Sequence, residues 1–141
     1  MNVSDKLIHM LQHHEGVRYK PYRCPAKLWT IGVGHVMYPE QAKLKLADRD
    51  SVNLRIEDFR EFSKEEVDAI LKSDLARFER GVTNYCGTNL TQGMFDGLVS
   101  FAFNLGLGTL QRSTLRQKVL RGDKDGAAEE FLKYTMAGGK V

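Results

Sequence analysis

The sequence predicts an α+β fold, mainly helical, with one short antiparallel sheet near the N-terminus. Three observations lead there. Apolar residues recur at helical spacing over most of the chain. Two-residue alternation is confined to the stretch from Leu28 to His35, in a region rich in glycine and proline. Ser or Thr stands at the head of the apolar runs, where a helix cap belongs. At 141 residues the chain makes one domain with a sizeable core.

The first helix is carried by Val3, Leu7, Ile8 and Leu11, with Ser4 as its cap. Glu15 falls seven residues after Ile8 and four after Leu11, which sets its carboxylate on the apolar stripe at the last turn. Partial burial and the negative end of the helix both disfavour the anion. An acid that keeps its proton near neutral pH can serve as a general acid. The plain alternative is a helix-end Glu paired with Arg18 or a lysine. Gly16 then stops the helix.

Tyr19, Pro21, Tyr22 and Pro25 mark short extended pieces and turns. From Leu28 onward Trp29, Ile31 and Val33 point one way, and Thr30, Gly32 and Gly34 the other. Glycines on a strand face mark close approach of a ligand or another backbone, so Thr30 is expected to face an open site. The plain alternative is a half-buried strand with an exposed Thr.

Residues 36–62 carry no clear period. Pro39 to Ala47 fits a short charged helix, which the weak alternation of Ala42, Leu44 and Leu46 does not decide, and a solvated loop is the reading preferred for the stretch as a whole. Ser63-Lys64-Glu65-Glu66 is a capping box. Val67, Ile70, Leu71, Leu75 and Phe78 follow at helical spacing to Arg80, with Gly81 as the expected stop. Thr91 caps a helix through Phe95, Leu98, Val99, Phe101, Ala102, Phe103 and Leu105. That helix is apolar almost all round and is expected to be buried. Asn104 suits its end, before a Gly-rich turn. Ser113 caps a helix over Leu115, Val119 and Leu120, closed by Gly122. Asp123 caps a last one with Ala127, Ala128, Phe131 and Leu132.

Hydrophobic content of 42% and charged content of 28% are those of a water-soluble globular protein. The net charge of +3 is spread out, with no basic stripe for nucleic acid. No apolar run is long enough for a signal peptide or a membrane span. Two cysteines, Cys24 and Cys86, make no disulfide framework, and both are expected to be free thiols. His9, His13 and His14 invite a metal reading, but only His9 and His13 share a helix face and no HExxH is present. No metal and no cofactor is expected.

A pattern of Glu15, eight residues, Cys24, five residues, Thr30, ending in TIGVGH, resembles the active-site signature of the phage-type lysozymes, glycoside hydrolase family 24. SFAFNLG from Ser100 to Gly106 and the ending EEFLKYTMAGGKV resemble the C-terminal lobe of that family. The resemblance covers nearly the whole chain. Cys24 stands where Asp is the commoner residue.

The resemblance implies a single lysozyme domain over 1–141. Its parts would be an N-terminal lobe at about 12–62, a linking helix at about 63–80 and a helical C-terminal lobe at 82–141, on which helix 1–15 packs. A substrate cleft would lie between the lobes, with 36–62 as an insertion on its rim. It implies that Glu15, Cys24 and Thr30 are catalytic, that Asp74 meets His35 as a structural pair, and that Gly34, Val36, Phe103, Asn104 and Thr114 contact substrate. From sequence alone Phe103 and Asn104 read equally well as a core Phe and a C-cap Asn. Family members also continue with a basic stretch and a last helix beyond the point where this sequence ends. On the resemblance the chain is therefore truncated there, which bears on full activity and not on fold class.

The implied activity is hydrolysis of the β-1,4 bond between N-acetylmuramic acid and N-acetylglucosamine in bacterial peptidoglycan, leading to host lysis. The alternatives are a lytic transglycosylase using Glu15 alone and a catalytically impaired peptidoglycan-binding module. The implied setting is a monomer held in the host cytoplasm until a phage holin releases it to the cell wall, with no nucleic acid and no stable membrane association.

Overall fold

Capping residues set the helical framework. The computed structural model describes residues 1–128 and 130. It contains helices α1 (Asp5–Glu15), α2 (Lys64–Cys86), α3 (Gln92–Leu105), α4 (Leu107–Gln111) and α5 (Thr114–Leu120), and strands β1 (Arg18–Arg23), β2 (Trp29–Gly32) and β3 (His35–Val36). The fold is α+β, mainly helical with one small antiparallel sheet. The chain divides into two compact units: residues 15–73, and residues 1–14 together with the chain from 74 onward.

The unit of residues 15–73 holds the sheet, in the order β1-β2-β3 with both pairings antiparallel. Pro21 cannot donate to a ladder, and it lies in an outer strand. The β1–β2 pairing is irregular between Arg18 and Tyr22 and then pairs Tyr22 with Thr30 and Arg23 with Trp29. Ile31, Phe62 and Val67 form the core, with Val17, Met37 and Ile70 packed against it. Gly32 is close-packed there: a Cβ would lie 3.2 Å from Val67 Cγ1, and its φ is +66°. The neighbour that its missing side chain admits is thus Val67 of helix α2. Ser63 and Glu66 close the predicted capping box, with Glu66 N–H donating to Ser63 Oγ at 3.1 Å and Ser63 N–H to Glu66 Oε1 at 3.0 Å.

Residues 39–58 are mostly exposed, as a solvated segment would be, but they are ordered in 3₁₀ turns and form no α-helix. They form three 3₁₀ turns, Pro39–Lys43, Leu46–Ser51 and Ile56–Asp58, which leave no long-range periodicity to read. Side chains pin them. Gln41, 1% exposed, accepts from Trp29 N–H at 2.8 Å and donates to the Tyr38 carbonyl at 2.9 Å. Tyr38 is buried; its hydroxyl donates to Asp58 and accepts from Arg55 N–H at 3.0 Å.

In the other unit the buried stripe of α1 is Leu7, Ile8 and Leu11, as its spacing predicts. Ser4 Oγ accepts from Leu7 N–H at 3.2 Å and donates to Asp96 of α3. Val3 N–H donates to Glu79 Oε2 of α2 at 2.7 Å. Thr91 caps α3 through Met94 N–H at 3.1 Å, and Ser113 caps α5 through Arg116 N–H at 3.0 Å. Asp123 Oδ1 accepts from Gly126 N–H at 2.9 Å and heads a helical stretch at 124–128. The expected continuation through Phe131 and Leu132 lies outside the described residues.

Two glycine readings are corrected. Gly81 does not stop α2, which runs on to Cys86; Gly87, with φ +84°, follows its end. Gly81 is glycine because Leu107 packs onto it: a Cβ there would fall 2.4 Å from Leu107 Cδ2. The Gly-rich segment after Gly106 is a short helix, α4, and not a turn. Gly106, at φ +93°, separates it from α3.

Candidate active site

The β1–β2 hairpin builds the centre of the site. Cys24 follows β1, and its backbone N–H donates to the Leu28 carbonyl at 3.0 Å, while Lys27 N–H donates to the Cys24 carbonyl at 2.8 Å. That tight loop forces Lys27 into the left-handed region, at φ +63°. The result folds the loop back over its own first residue. Burial opposes ionisation of the Cys24 thiol, but the backbone N–H groups of Leu28 and Ala26, the Thr30 hydroxyl and its own N–H outweigh that and hold the thiol below its ordinary value.

Thr30 meets this sulfur from β2. Its Oγ1 donates to the Leu28 carbonyl at 2.9 Å and lies within hydrogen-bonding reach of Cys24. The expectation that Thr30 faces an open site is corrected: it is 2% exposed. Both faces of β2 are covered, since Ile31 and Gly32 are buried as well. Cys24, beside it, is half-buried.

Glu15 ends α1, and Gly16, at φ +79°, turns the chain into β1. The expected partial burial of Glu15 is also corrected, because its side chain is exposed. Helical spacing gave its direction, on the side of Leu11, and not its depth. It lies one turn past the last buried residue of α1, where the core has ended. Glu15 opens the same compact unit that holds Cys24 and Thr30.

Gly34, exposed at φ +72°, makes the tight turn between β2 and β3. Val36 pairs with Thr30, and His35 with Ile31. These three belong to the same unit as Cys24. Asp74, Phe103, Asn104 and Thr114 belong to the other unit. There Phe103 is half-buried and meets Phe78 edge-to-face at 5.6 Å, the contact that its core reading predicts. Asn104 is half-buried near the end of α3, and Thr114 is exposed at the start of α5. Cys86, the last residue of α2, is a buried free thiol, pushed up to about 11 by burial against the opposing charge of Arg116.

Sequence reasoning missed the arginines around the hairpin. Arg23 Nη1 donates to the carbonyls of Lys27 at 3.2 Å and Arg49 at 2.9 Å, and its Nη2 to those of Asp50 at 3.3 Å and Val52 at 2.6 Å. It stacks 4.4 Å from the Trp29 ring, whose Nε1–H donates to the same Val52 carbonyl at 2.8 Å. Arg49 Nη1 donates to the Ala26 carbonyl at 2.9 Å. The one available signal was Arg23 beside Cys24, across the hairpin from the sole tryptophan.

The phage lysozyme family model matches residues 12–141. The chain belongs to the phage lysozyme family. An endolysin of Bacillus phage B103 is 36% identical over 146 residues, covering 100% of this chain and 48% of that relative. The chain spans about half the length of the Bacillus phage relatives that it matches. Among solved structures, the muramidase domain of SpmX from Asticaccaulis excentricus aligns with a TM-score of 0.69 at 28% identity, over 91% of this chain and 76% of that one. A crystal structure of a P22 lysozyme mutant aligns with a TM-score of 0.73 at 26% identity, over 92% of this chain and 80% of that one. This family member thus has the lysozyme fold, with Glu15, Cys24 and Thr30 all inside the matched residues.

Proposed function

We propose that this phage lysozyme is an endolysin that hydrolyses the β-1,4 bond between N-acetylmuramic acid and N-acetylglucosamine in bacterial peptidoglycan. The observation that carries the reading is the Cys24–Thr30 pair, joined across the β1–β2 hairpin in the unit that begins at Glu15. The family match and its muramidase and lysozyme neighbours support it.

Cleavage through an oxocarbenium-like transition state needs a proton on the leaving oxygen and an activated water on the opposite face. Glu15 donates the proton as the C1–O bond breaks. Water forms the new C1–O bond and passes its proton to the Cys24 thiolate, toward which the Thr30 hydroxyl turns its single O–H from the Leu28 carbonyl. Cys24 then returns a proton to Glu15 through solvent. Because water separates the sugar from Cys24, the product anomer is inverted. A thiol is a weaker acceptor than a carboxylate, so the groups that lower Cys24 are part of the chemistry.

Gly34, Val36, Phe103, Asn104 and Thr114 are assigned to substrate, and His35 with Asp74 to a pair that steadies β3. The enzyme works as a monomer that a holin releases to the wall. Among the described residues no helix is long and apolar enough to cross a membrane.

A second reading rests on the lack of a carboxylate at position 24. A lytic transglycosylase needs only Glu15, with the sugar's own 6-hydroxyl in place of water. Clearance of purified sacculi by wild type and Glu15→Gln tests both, with mass spectrometry of the products. The expected result is reducing ends from wild type and a rate lower by roughly a hundredfold or more in the variant. Retained clearance in Glu15→Gln sinks the acid assignment, and 1,6-anhydro ends favour the second reading.

A further inference from the structure

We propose that Arg23 is a positioning residue for Cys24, acting through the Lys27–Leu28 peptide, and that it ties the water-side group to the 3₁₀ segment at 39–52. The inference rests on the role of Cys24 given above.

The argument is one of peptide geometry. In a trans peptide the C=O and the following N–H point in opposite directions. The Lys27 carbonyl, which accepts from Arg23 Nη1 at 3.2 Å, is the far end of the peptide whose N–H is that of Leu28. That N–H is one of the groups that favour the Cys24 anion. By holding the carbonyl, Arg23 fixes the orientation of that peptide and so of its N–H within the loop that carries Cys24, and a cationic donor on the carbonyl strengthens the N–H as a donor.

The peptide needs holding. Lys27 sits at φ +63°, a conformation that a lysine keeps only when its surroundings impose it. The surroundings do so from two sides. From the hairpin, Arg23 holds the Lys27 carbonyl. From the 3₁₀ segment, Arg49 holds the Ala26 carbonyl at 2.9 Å and Asp50 pairs with Lys27 Nζ at 3.0 Å. Arg23 joins the two sides, since its other hydrogen bonds run to the carbonyls of Arg49, Asp50 and Val52. Only the planar, five-donor guanidinium spans acceptors set out in this way; an ammonium has no fork. Trp29 fixes the plane of the fork by stacking. Among the described residues, the charged groups bonded within or to the Cys24 loop are thus Arg23 and Lys27 from the hairpin and Arg49 and Asp50 from the 3₁₀ segment.

The test is the pH dependence of Cys24 alkylation by iodoacetamide, read by peptide mass spectrometry in the full chain. Wild type is compared with Arg23→Lys, and with Arg55→Lys as a control arginine that stacks on Tyr38 instead. Arg23→Lys should move the alkylation midpoint to higher pH, slow alkylation at pH 7.5 by roughly threefold to tenfold, and move the pH profile of sacculus clearance the same way. Arg55→Lys should leave the midpoint in place. An unchanged midpoint in folded Arg23→Lys overturns the proposal. If that variant does not fold, wild type decides by nuclear magnetic resonance. The Leu28 amide and the Arg23 guanidinium signals should both move over the pH interval in which Cys24 ionises, and a flat guanidinium signal overturns the proposal. If the midpoint moves but wild type clears no sacculi, Arg23 still positions Cys24, and it is the hydrolase reading that fails.

Discussion

Gly81 and Leu107 touch with no room for a carbon between them. A Cβ on Gly81 would lie 2.4 Å from Leu107 Cδ2 and 2.7 Å from its Cδ1. Helix propensity favours Ala over Gly by about 1 kcal/mol, while overpacking costs about 1–3 kcal/mol. Gly81→Ala should therefore lower stability by about 1 kcal/mol in urea unfolding. In a Leu107→Ala background the same change should stabilise. If Gly81→Ala stabilises the otherwise unaltered protein, the packing account of this glycine is wrong.

Cys24 offers a series that separates the mechanisms. Cys24→Asp should keep or raise the rate of sacculus clearance, because a carboxylate accepts the water's proton readily near neutral pH. Cys24→Ala should lose most of it. Alkylation should inactivate wild type and spare Cys24→Asp. Wild-type clearance by Cys24→Ala would mean that no water is held there, as a transglycosylase requires.

The two thiols should also differ under native conditions. Thiol titration of the folded protein near pH 8 should give one fast group, Cys24, with Cys86 reacting only on unfolding, since burial holds Cys86 up at about 11. Two fast groups would contradict the burial of Cys86.

Cys86 has a further consequence for stability against pH. Its folded-state value is raised above the ordinary 9.0. The unfolded chain therefore loses this proton first as pH rises. The contribution of Cys86 is complete below about 9 and fades as pH climbs through about 11. Urea midpoints of wild type should fall more steeply over that interval than those of Cys86→Ala, with reductant present. Parallel curves would rule the effect out.

Gln41 is the buried anchor of the 3₁₀ segment. Gln41→Ala would orphan the Trp29 N–H and leave a cavity, and it should cost about 2–4 kcal/mol. Trp29 is the only tryptophan, so its emission should red-shift with the loss of this contact. Stability within 0.5 kcal/mol of wild type, roughly the range of a bland surface change, would refute the anchoring role.

Much of the helical framework was legible because its signals are local. Ser4, Ser63, Thr91 and Ser113 cap where their positions predict, and the stripe of α1 buries as spaced, as does that of α3 from Phe95 to Ala102, whereas Phe103 is half-buried and Leu105 is exposed. Gly81 was misread because glycine has two local meanings, helix end and close approach, and only Leu107, 26 positions on in the chain, selects between them. The depth of Glu15 was not legible either, since periodicity fixes an azimuth and says nothing of where a core stops. Of the candidate site, Cys24 and Thr30 were named through the family resemblance, and strand alternation by itself set Thr30 on an open face, where it does not lie. The clamp by Arg23 and Arg49 was not legible, because its acceptors are main-chain carbonyls and leave no mark on residue identity.

That last property shapes how the segment can drift. Every amino acid carries a carbonyl, so Ala42, Leu44, Asp50 and Val52 can serve as acceptors whatever their side chains. The information that holds the segment is concentrated in its donors, Arg23, Trp29 and Arg49, together with the amide of Gln41. In a saturation library across 39–52 the positions Ala42, Leu44 and Val52 should accept broad replacement, while Gln41, Arg49 and Asp50, whose carboxylate also pairs with Lys27, return unchanged. Distant homologues aligned through this stretch would then share almost no residues and still trace the same path.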